Sequence, residues 1–182
     1  FKQADTSEKI TTLLGFTKGN RKFTDPKMTP PGVWKDCAGS GKSSGNLEVN
    51  MQKVAVVTGG SSGIGLAIVK SLTASGIKAV SWDIKAPAED VPFVECDVTS
   101  EDKVKAAFEK TVKSFGEPTI LVNNCGLQFM SPVEEFPLEK WNQLISIMLT
   151  GTFLCSKTMI PTMKKNNWGR IINISSIHGK VA

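Results

Sequence analysis

A run of glycines and small polar residues is the stretch of the chain best suited to chemistry. The run Thr58-Gly59-Gly60-Ser61-Ser62-Gly63-Ile64-Gly65 directly follows the apolar residues 54–57 and precedes apolar residues at helical spacing. This pattern predicts a strand, a glycine turn and the start of a helix. Glycines let the backbone approach a pyrophosphate closely, and the amides at a helix N-terminus attract an anion. We therefore expect a nucleotide-type ligand at this turn.

An acidic residue follows the next predicted strand. Asp83 ends the run Ala79-Val80-Ser81-Trp82, about 20 residues after the glycine turn, where an acid can bind the ribose hydroxyls of a dinucleotide. Its charge would repel a 2′-phosphate, so the sequence predicts NAD in preference to NADP. Lys85 nearby keeps NADP open, and a surface aspartate that merely ends a strand is the alternative interpretation.

Strands and helices alternate from residue 53 onward, as in a parallel sheet with right-handed crossovers. Apolar runs predict strands over about 53–58, 79–82, 93–96, 119–122 and 169–175, the last buried on both faces. Helical spacing predicts helices over about 63–75, from a capping-box pattern at Thr99 and Asp102 to Gly116, and over about 138–165. The predicted fold class is therefore α/β, a Rossmann-type doubly wound parallel sheet in a three-layer αβα arrangement. Its polar motifs follow the strands and should share one crevice.

Composition limits the classes of function. The 182 residues have a net charge of +5, of which residues 1–50 carry +3 (eight Lys or Arg against five Asp or Glu) and the rest +2. An excess spread this thinly argues against nucleic-acid binding. The sequence has neither an uninterrupted apolar stretch of about 18 residues nor a signal peptide at its start, so no membrane partner and no export are expected. Four cysteines lack C-x-x-C spacing, which predicts no metal, reduced thiols and a cytoplasmic protein: Cys37, Cys96, Cys125 and Cys155.

Residues 1–50 differ in character from the rest. They lack a sustained hydrophobic period, which predicts a disordered or non-native N-terminal extension before a partial NAD-binding domain over residues 51–182. Met51 is then the expected natural start. Residues 38–43, Ala-Gly-Ser-Gly-Lys-Ser, resemble the end of a P-loop, but Asp36 stands where that motif needs a glycine. A flexible linker is favoured over a nucleotide hydrolase built on Lys42.

Four motifs, in order, carry a resemblance to a known family: Thr58-Gly59-x-x-x-Gly63-x-Gly65, Asp97-Val98, Asn123-Asn124-Cys125-Gly126 and Ile174-Ser175-Ser176. Over about residues 51–182 the chain resembles the short-chain dehydrogenase/reductase family. A finer likeness, to bacterial D-3-hydroxybutyrate dehydrogenases, lies in residues 126–128, 132–141 and 168–179. The resemblance implies an oxidoreductase that uses NAD to interconvert 3-hydroxybutyrate, a small hydroxy acid, and acetoacetate. It also implies a homo-tetramer whose long helix packs between subunits.

The resemblance implies roles for individual residues. Ser176 matches the catalytic serine, which hydrogen-bonds the substrate oxygen as hydride passes to or from the nicotinamide. Gln128 and His178 match residues that hold the substrate carboxylate. Among the cofactor-binding positions, Asp97 would bind the adenine amino group and Val98 would contact the base through its backbone. The full cofactor-binding set is Gly59, Ser61, Ser62, Gly63, Ile64, Gly65, Asp83, Asp97, Val98, Asn124 and Gly126.

Two departures from the family pattern bear on activity. Met148 stands where many members have an asparagine that orders a relay water, and a thioether cannot replace its donor and acceptor. The family's acid/base is a tyrosine about a dozen residues after the serine, with a lysine four residues later. Only six residues follow Ser176, and the sequence has no tyrosine. We expect a chain truncated after its fifth strand, which would be left as an apolar edge, and inactive alone as a dehydrogenase.

Two other functions stay open. Another alcohol or a 3-oxoacyl compound could be the substrate of an enzyme of the same family. A non-catalytic NAD-binding or scaffold protein would need no proton-transfer residues. A Tyr-x-x-x-Lys motif in the continuing reading frame would favour an enzyme over the scaffold.

Overall fold

The computed structural model describes residues 53–176, and the structural statements below concern that part of the chain. Its strands are β1 (Val54–Thr58), β2 (Lys78–Asp83), β3 (Phe93–Glu95), β4 (Pro118–Asn123) and β5 (Arg170–Asn173). Its α-helices are α1 (Gly63–Ala74), α2 (Glu101–Phe115), α3 (Leu138–Ile145) and α4 (Gly151–Lys165). A 3₁₀ turn, Val133–Glu135, precedes α3, and a π-helical segment, Ser146–Thr150, follows it. The predicted extension over residues 1–50, the P-loop-like residues 38–43, Met51 and His178 lie outside the described residues.

All five strands are parallel and lie in the order β3-β2-β1-β4-β5. The chain builds outward from β1 to β3 and then crosses to the other side of β1, where it forms β4. The strand order therefore reverses between β1 and β4, and a crevice forms beyond the carboxyl ends of these strands. The predicted doubly wound α/β sheet is confirmed, with its polar motifs along one edge.

Helices cover the sheet from two sides. α1 packs against β1 and β2 and buries Ile68, Val69 and Leu72. α2 and α4 pack against each other and against the opposite face, to which alternate strand residues point. This second side holds a continuous core: Val54, Val56, Val80, Trp82, Val94, Cys96, Val98, Val104, Ala107, Leu121, Leu154, Cys155, Met159 and Met163. The three-layer αβα arrangement is confirmed.

Trp82 is the largest fully buried side chain in the described residues, and it joins β2 to α2. Its indole Nε1 donates to Thr111 Oγ1 at 2.9 Å, and the same hydroxyl donates to the Ala107 carbonyl at 2.8 Å. Because neither side chain reaches solvent, this bond satisfies the one polar group of the indole inside the core.

The helix α2 begins later than the capping-box pattern predicted. Its N-cap is Ser100, whose hydroxyl accepts from the Lys103 amide at 3.5 Å, so the expected cap formed by Thr99 and Asp102 is wrong. Asp97 explains the difference, because its Oδ1 accepts from the Thr99 amide at 3.0 Å and from the Thr99 hydroxyl at 2.6 Å. This local turn occupies the threonine side chain before the helix starts.

The predicted long helix spans Leu138–Lys165 but is interrupted by the π-helical segment. Gly151 allows the close approach expected of it, since an added Cβ would lie 2.8 Å from Val98 Cγ2. By length and composition alone this helix could cross a membrane, with a mean hydropathy of 1.4 over its most apolar window. One such helix is weak evidence, because core helices pass the same test. The absence of a membrane partner stays a prediction.

The strand β5 forms one edge of the described sheet, as the sequence predicted. The prediction that both of its faces are buried is wrong. Ile171 and Ile174 are 38% and 40% exposed. The reason is that β4 is the only strand that pairs with β5 within residues 53–176.

The buried hydrogen bond between Trp82 and Thr111 makes a testable contribution to stability. Thr111→Val keeps the shape of the side chain but leaves the indole N–H without its acceptor, which should lower the free energy of unfolding by about 1–3 kcal/mol. Urea denaturation of the 182-residue chain measures this loss. The matched control is Thr73→Val, because Thr73 is exposed and bonds only within its own helix, to the Val69 carbonyl. Equal midpoints for the two variants would contradict the assignment.

Candidate functional site

The hydroxyl of Thr58 joins the ends of β1 and β4. Its Oγ1 accepts from the backbone amides of Asn124 at 2.9 Å and Cys125 at 3.1 Å, and it donates to the Val122 carbonyl at 3.4 Å. The side-chain amide of Asn124 bonds in the opposite direction, because it donates to the Thr58 carbonyl at 3.1 Å and to the Gly59 carbonyl at 3.3 Å. These bonds form the floor of the crevice where the strand order reverses.

The glycine turn fits tightly on this floor. Gly59 and Gly63 have φ values of +65° and +53°, in the left-handed region that favours glycine. Gly65 has a different reason to lack a side chain: an added Cβ would collide with the Gly59 carbonyl and lie 2.6 Å from Asn124 Nδ2. Gly65 is thus packed closely against Gly59 and Asn124, which leaves no room for a side chain at this position.

The start of α1 is suited to an anion. Ser62 is the N-cap in extended conformation, without a side-chain capping bond in the described residues, and the first turn holds no acidic residue. The first helical bond runs from the Leu66 amide to the Ser62 carbonyl, so the amides of Gly63, Ile64 and Gly65 have no acceptor within the helix. Such amides, with the helix dipole behind them, bind phosphate groups.

Asp83 lies against the same turn. Its Oδ2 accepts from the Ser61 amide at 3.2 Å and its Oδ1 accepts from the Lys85 amide at 3.4 Å. The turn is also tied to β2 through Ser61 Oγ and Ser81 Oγ, 3.0 Å apart, and through the Gly59 amide, which donates to the Trp82 carbonyl at 2.7 Å. The acid and the glycine turn, predicted to act together, are therefore in direct contact.

Asp97 and Val98 follow β3 at the same edge. The Thr99 hydroxyl, which donates to Asp97, lowers the pKa of that carboxyl below its usual range, and the Thr99 amide and Lys103 act in the same direction. Asp97 is therefore ionised near neutral pH and can accept hydrogen bonds. Val98 is 6% exposed beneath Gly151, so most of its side chain belongs to the core.

The residues predicted to meet a substrate follow β4 and β5. Gly126 and Gln128 are exposed in the segment after β4, and Ser176 is exposed three residues beyond β5. Met148 lies beside this segment, with its sulfur 3.8 Å from the position of a Cβ on Gly126. His178 is outside the described residues, so its expected role with Gln128 stays a prediction.

The thiols of the described residues are free and sit in apolar surroundings. Burial raises the pKa of Cys96 to about 12, and burial likewise raises the pKa values of Cys125 and Cys155. These thiols are therefore protonated near neutral pH. Within residues 53–176 no group of His, Cys, Asp and Glu could hold a metal ion.

The arrangement as a whole fits a dinucleotide. Three amides at the start of α1 have no acceptor within the helix, Gly65 is packed too closely for a side chain, and Asp83 contacts the turn through the Ser61 amide. A family model described as short chain dehydrogenase matches residues 53–182. The chain belongs to the short chain dehydrogenase family. Members of this family are oxidoreductases and typically bind a nicotinamide cofactor.

Individual relatives agree with the family assignment. The chain is 39% identical to a D-beta-hydroxybutyrate dehydrogenase of Rhizobium meliloti (strain 1021), covering 72% of this chain and 57% of the relative. It is 36% identical to a D-beta-hydroxybutyrate dehydrogenase of Cupriavidus necator, covering 71% and 55%. The ligand-free aldohexose dehydrogenase of Thermoplasma acidophilum superposes with a TM-score of 0.69 at 36% identity, covering 72% of this chain and 52% of that one. The likeness inferred from the motifs is confirmed, and the chain spans about half the length of these relatives.

Sequence reasoning missed the part played by Thr58. The sequence pattern indicates Thr58 only as the first residue of the glycine motif. Its side chain nevertheless makes three of the bonds that join β1 to β4 and to the residues that follow it. The available signal was a hydroxyl residue at the last position of an otherwise apolar strand.

The close packing of Gly65 predicts the effect of a single methyl group. Gly65→Ala should weaken NADH binding at least about tenfold, because the new Cβ must displace the Gly59 carbonyl or the Asn124 amide. Fluorescence titration of NADH measures the dissociation constant. Gly76→Ala is the control: Gly76 has φ of +79° and no atom within 4 Å of an added Cβ, so it adds backbone strain at the far end of α1 only. NADH binding unchanged by Gly65→Ala would contradict the geometry.

Proposed function

We propose that this chain is the cofactor-binding part of an NAD-dependent oxidoreductase that, when complete, interconverts 3-hydroxybutyrate and acetoacetate by hydride transfer. The carboxylate of Asp83 is the observation that carries the preference for NAD. Its Oδ2 accepts a hydrogen bond from the Ser61 amide at 3.2 Å. Its remaining lone pairs can accept hydrogen bonds from ribose hydroxyls beside the glycine turn. Its negative charge would repel a 2′-phosphate at that position.

A 3-hydroxy acid is the favoured substrate. The support is the name D-beta-hydroxybutyrate dehydrogenase carried by relatives at 39% and 36% identity. Ser176 would hydrogen-bond the substrate oxygen, while Gln128 and His178 would hold the carboxylate. A nicotinamide cofactor, when bound, supplies or accepts the hydride. The other proposed roles of the chain are to bind the pyrophosphate through the glycine turn and to orient the adenosine through Asp83 and Asp97.

Another alcohol is the second candidate substrate, because an aldohexose dehydrogenase is also similar over 72% of this chain. Loss of affinity for 3-hydroxybutyrate on replacement of Gln128 and His178 would favour the hydroxy acid over a sugar or 3-oxoacyl substrate. A non-catalytic NAD-binding protein is the candidate from another class, since the sequence has no tyrosine. The reading frame beyond codon 182 distinguishes this candidate from an enzyme, because a downstream Tyr-x-x-x-Lys motif would support an enzyme.

We also infer a homo-tetramer for the complete protein. Its support is an exposed apolar stripe on the long helix, where Leu138, Trp141, Leu149 and Phe153 are 71%, 55%, 64% and 59% exposed. Apolar surface of this extent is typical of an interaction site. A cytoplasmic location, with neither nucleic acid nor membrane as partner, completes the proposal; it rests on the free cysteines and on the thinly spread charge.

The preference for NAD predicts a change in specificity on removing one charge. Asp83→Asn should weaken NAD binding and strengthen NADP binding, shifting the ratio of the two dissociation constants at least about tenfold. Calorimetric titration of the chain with each cofactor gives this ratio. Asp90→Asn makes the same change of charge on an exposed residue of the loop after β2 and should leave the ratio unaltered. A wild-type chain that prefers NADP would contradict the role proposed for Asp83.

The lack of a proton-transfer residue predicts binding without turnover. The 182-residue chain contains no tyrosine, so it should bind NADH yet reduce acetoacetate at a rate lower by several orders of magnitude than a full-length relative. Absorbance of NADH at saturating substrate measures this rate, and the fluorescence titration confirms that the cofactor is bound. A rate comparable to that of the relative would contradict the proposed role of the tyrosine.

A further inference from the structure

A serine occupies a fully buried position in the middle of β2. Its neighbours along the strand, Val80 and Trp82, belong to the core on the side of α2 and α4. Because side chains alternate along a strand, Ser81 lies on the opposite face, which α1 covers. A buried hydroxyl is costly unless it finds a hydrogen-bond partner. Apolar packing alone therefore does not explain a serine at this position.

The partner of Ser81 belongs to the glycine turn. The Oγ atoms of Ser81 and Ser61 are 3.0 Å apart and buried, so one hydroxyl donates to the other. The turn also passes close to this serine, since a Cβ added to Gly60 would lie 2.9 Å from Ser81 Oγ and 3.0 Å from Ser81 Cα. Residue 81 therefore has room for a small side chain and supplies the turn with a hydroxyl.

Ser61 makes a second bond through its backbone. Its amide donates to Asp83 Oδ2 at 3.2 Å, so one residue contacts both Ser81 and Asp83 of β2. The glycines at positions 59, 60 and 63 restrain the backbone of the turn only weakly. The bond between the two hydroxyls restricts the rotation of Ser61 as a whole, and with it the direction of its amide.

The direction of this amide matters for the acid beside it. Asp83 is half-buried, and its other oxygen, Oδ1, accepts from the Lys85 amide at the longer distance of 3.4 Å. The bond from Ser61 is therefore the closer of the two that hold the carboxylate. An acceptor that is already ordered binds a ligand without the entropic cost of being ordered on binding.

We propose that Ser81 is a positioning residue for the cofactor. Through the hydroxyl of Ser61 it orients the Ser61 amide, and through that amide it orients the carboxylate of Asp83 toward the ribose hydroxyls. Ser81 is fully buried and acts without touching the ligand. The consequence for the ribose rests on the proposed function, whereas the order of the contacts does not.

The experiment is a double-mutant cycle read by fluorescence titration of NADH on the 182-residue chain. Ser81→Ala should weaken NADH binding about fivefold, the scale of one hydrogen bond. In an Asp83→Ala background the same change should alter the dissociation constant less than about twofold, because no carboxylate remains to be oriented. The four dissociation constants of the wild type, the two single variants and the double variant give the coupling.

A merely structural role of Ser81 gives a different result. General loosening of the glycine turn would weaken NADH binding by the same factor in both backgrounds, because the turn would bind the pyrophosphate in each. Val104→Ala is the control for lost stability, since it opens a cavity in the core on the other side of the sheet and should leave NADH binding unchanged. Equal losses in the two backgrounds, or no loss in either, would overturn the positioning role.

Hydrogen exchange tests the same contacts without cofactor. In the ¹⁵N-labelled 182-residue chain, Ser81→Ala should lower the protection factor of the Ser61 amide at least about fivefold. The Gly59 amide, which donates to the Trp82 carbonyl at 2.7 Å, is the internal control and should keep its protection. Ser61→Ala removes the same contact from the other side and should lower the protection of residue 61 equally, so the test stays decisive if Ser81→Ala does not fold. Unchanged protection at residue 61 would overturn the inference.

Failure of this inference and failure of the proposed function are distinguishable. A wild-type chain that does not bind NADH contradicts the proposed function, while the exchange at residue 61 still decides whether Ser81 orders the Ser61 amide. NADH binding without coupling between Ser81 and Asp83 contradicts the positioning role and leaves the proposed function standing.

Discussion

The seam between β1 and β4 is the constraint on which the site depends. Where the strand order of a parallel sheet reverses, the chain leaves two neighbouring strands, here β1 and β4, toward opposite sides of the sheet. The Thr58 hydroxyl at the end of β1 bonds to the residues that follow β4. Asn124 completes the seam by binding the Thr58 and Gly59 carbonyls. Since the Asn124 amide occupies the space under α1, residue 65 has no room for a side chain. The close packing of the glycine turn and the absence of a side chain at residue 65 follow from this one set of bonds.

The two halves of the site are supported very differently. The glycine turn is held by β1, β2 and β4 together, through Asn124, Asp83 and the bond from the Gly59 amide to Trp82. The strand β5, which precedes Ser176, pairs with one strand, β4, within the described residues and also contacts α4. Preorganised amides can bind an anion without rearrangement. Asn123 and Asn173 add a side-chain bond of 2.8 Å at the end of the pairing between β4 and β5.

Much of this architecture follows from sequence pattern. Short apolar runs gave five parallel strands, and the glycine turn with Asp83 gave the contact now seen between Ser61 and Asp83. Three features needed information that pattern does not hold. The N-cap of α2 is Ser100 rather than Thr99, because the Thr99 hydroxyl is bonded to Asp97. A helical period cannot reveal that a local hydrogen bond competes with the cap. The exposure of β5 depends on neighbours rather than on composition. The bond between Asn123 and Asn173 joins residues 50 positions apart, whose pairing only the register discloses.

The π-helical segment divides the long helix into two parts that differ in burial. The α3 residues Leu138–Ile145 include none that is buried, whereas α4 buries Gly151, Leu154, Cys155, Met159 and Met163. A π turn accommodates about one extra residue, and each residue of an α-helix advances about 100° around the axis. The segment therefore changes which residues of α4 continue the apolar side of α3. A helical wheel drawn straight through residues 138–165 would merge these two sides. The five π-helical residues thus mark the boundary between the part of the helix without buried residues and the part that packs on the sheet.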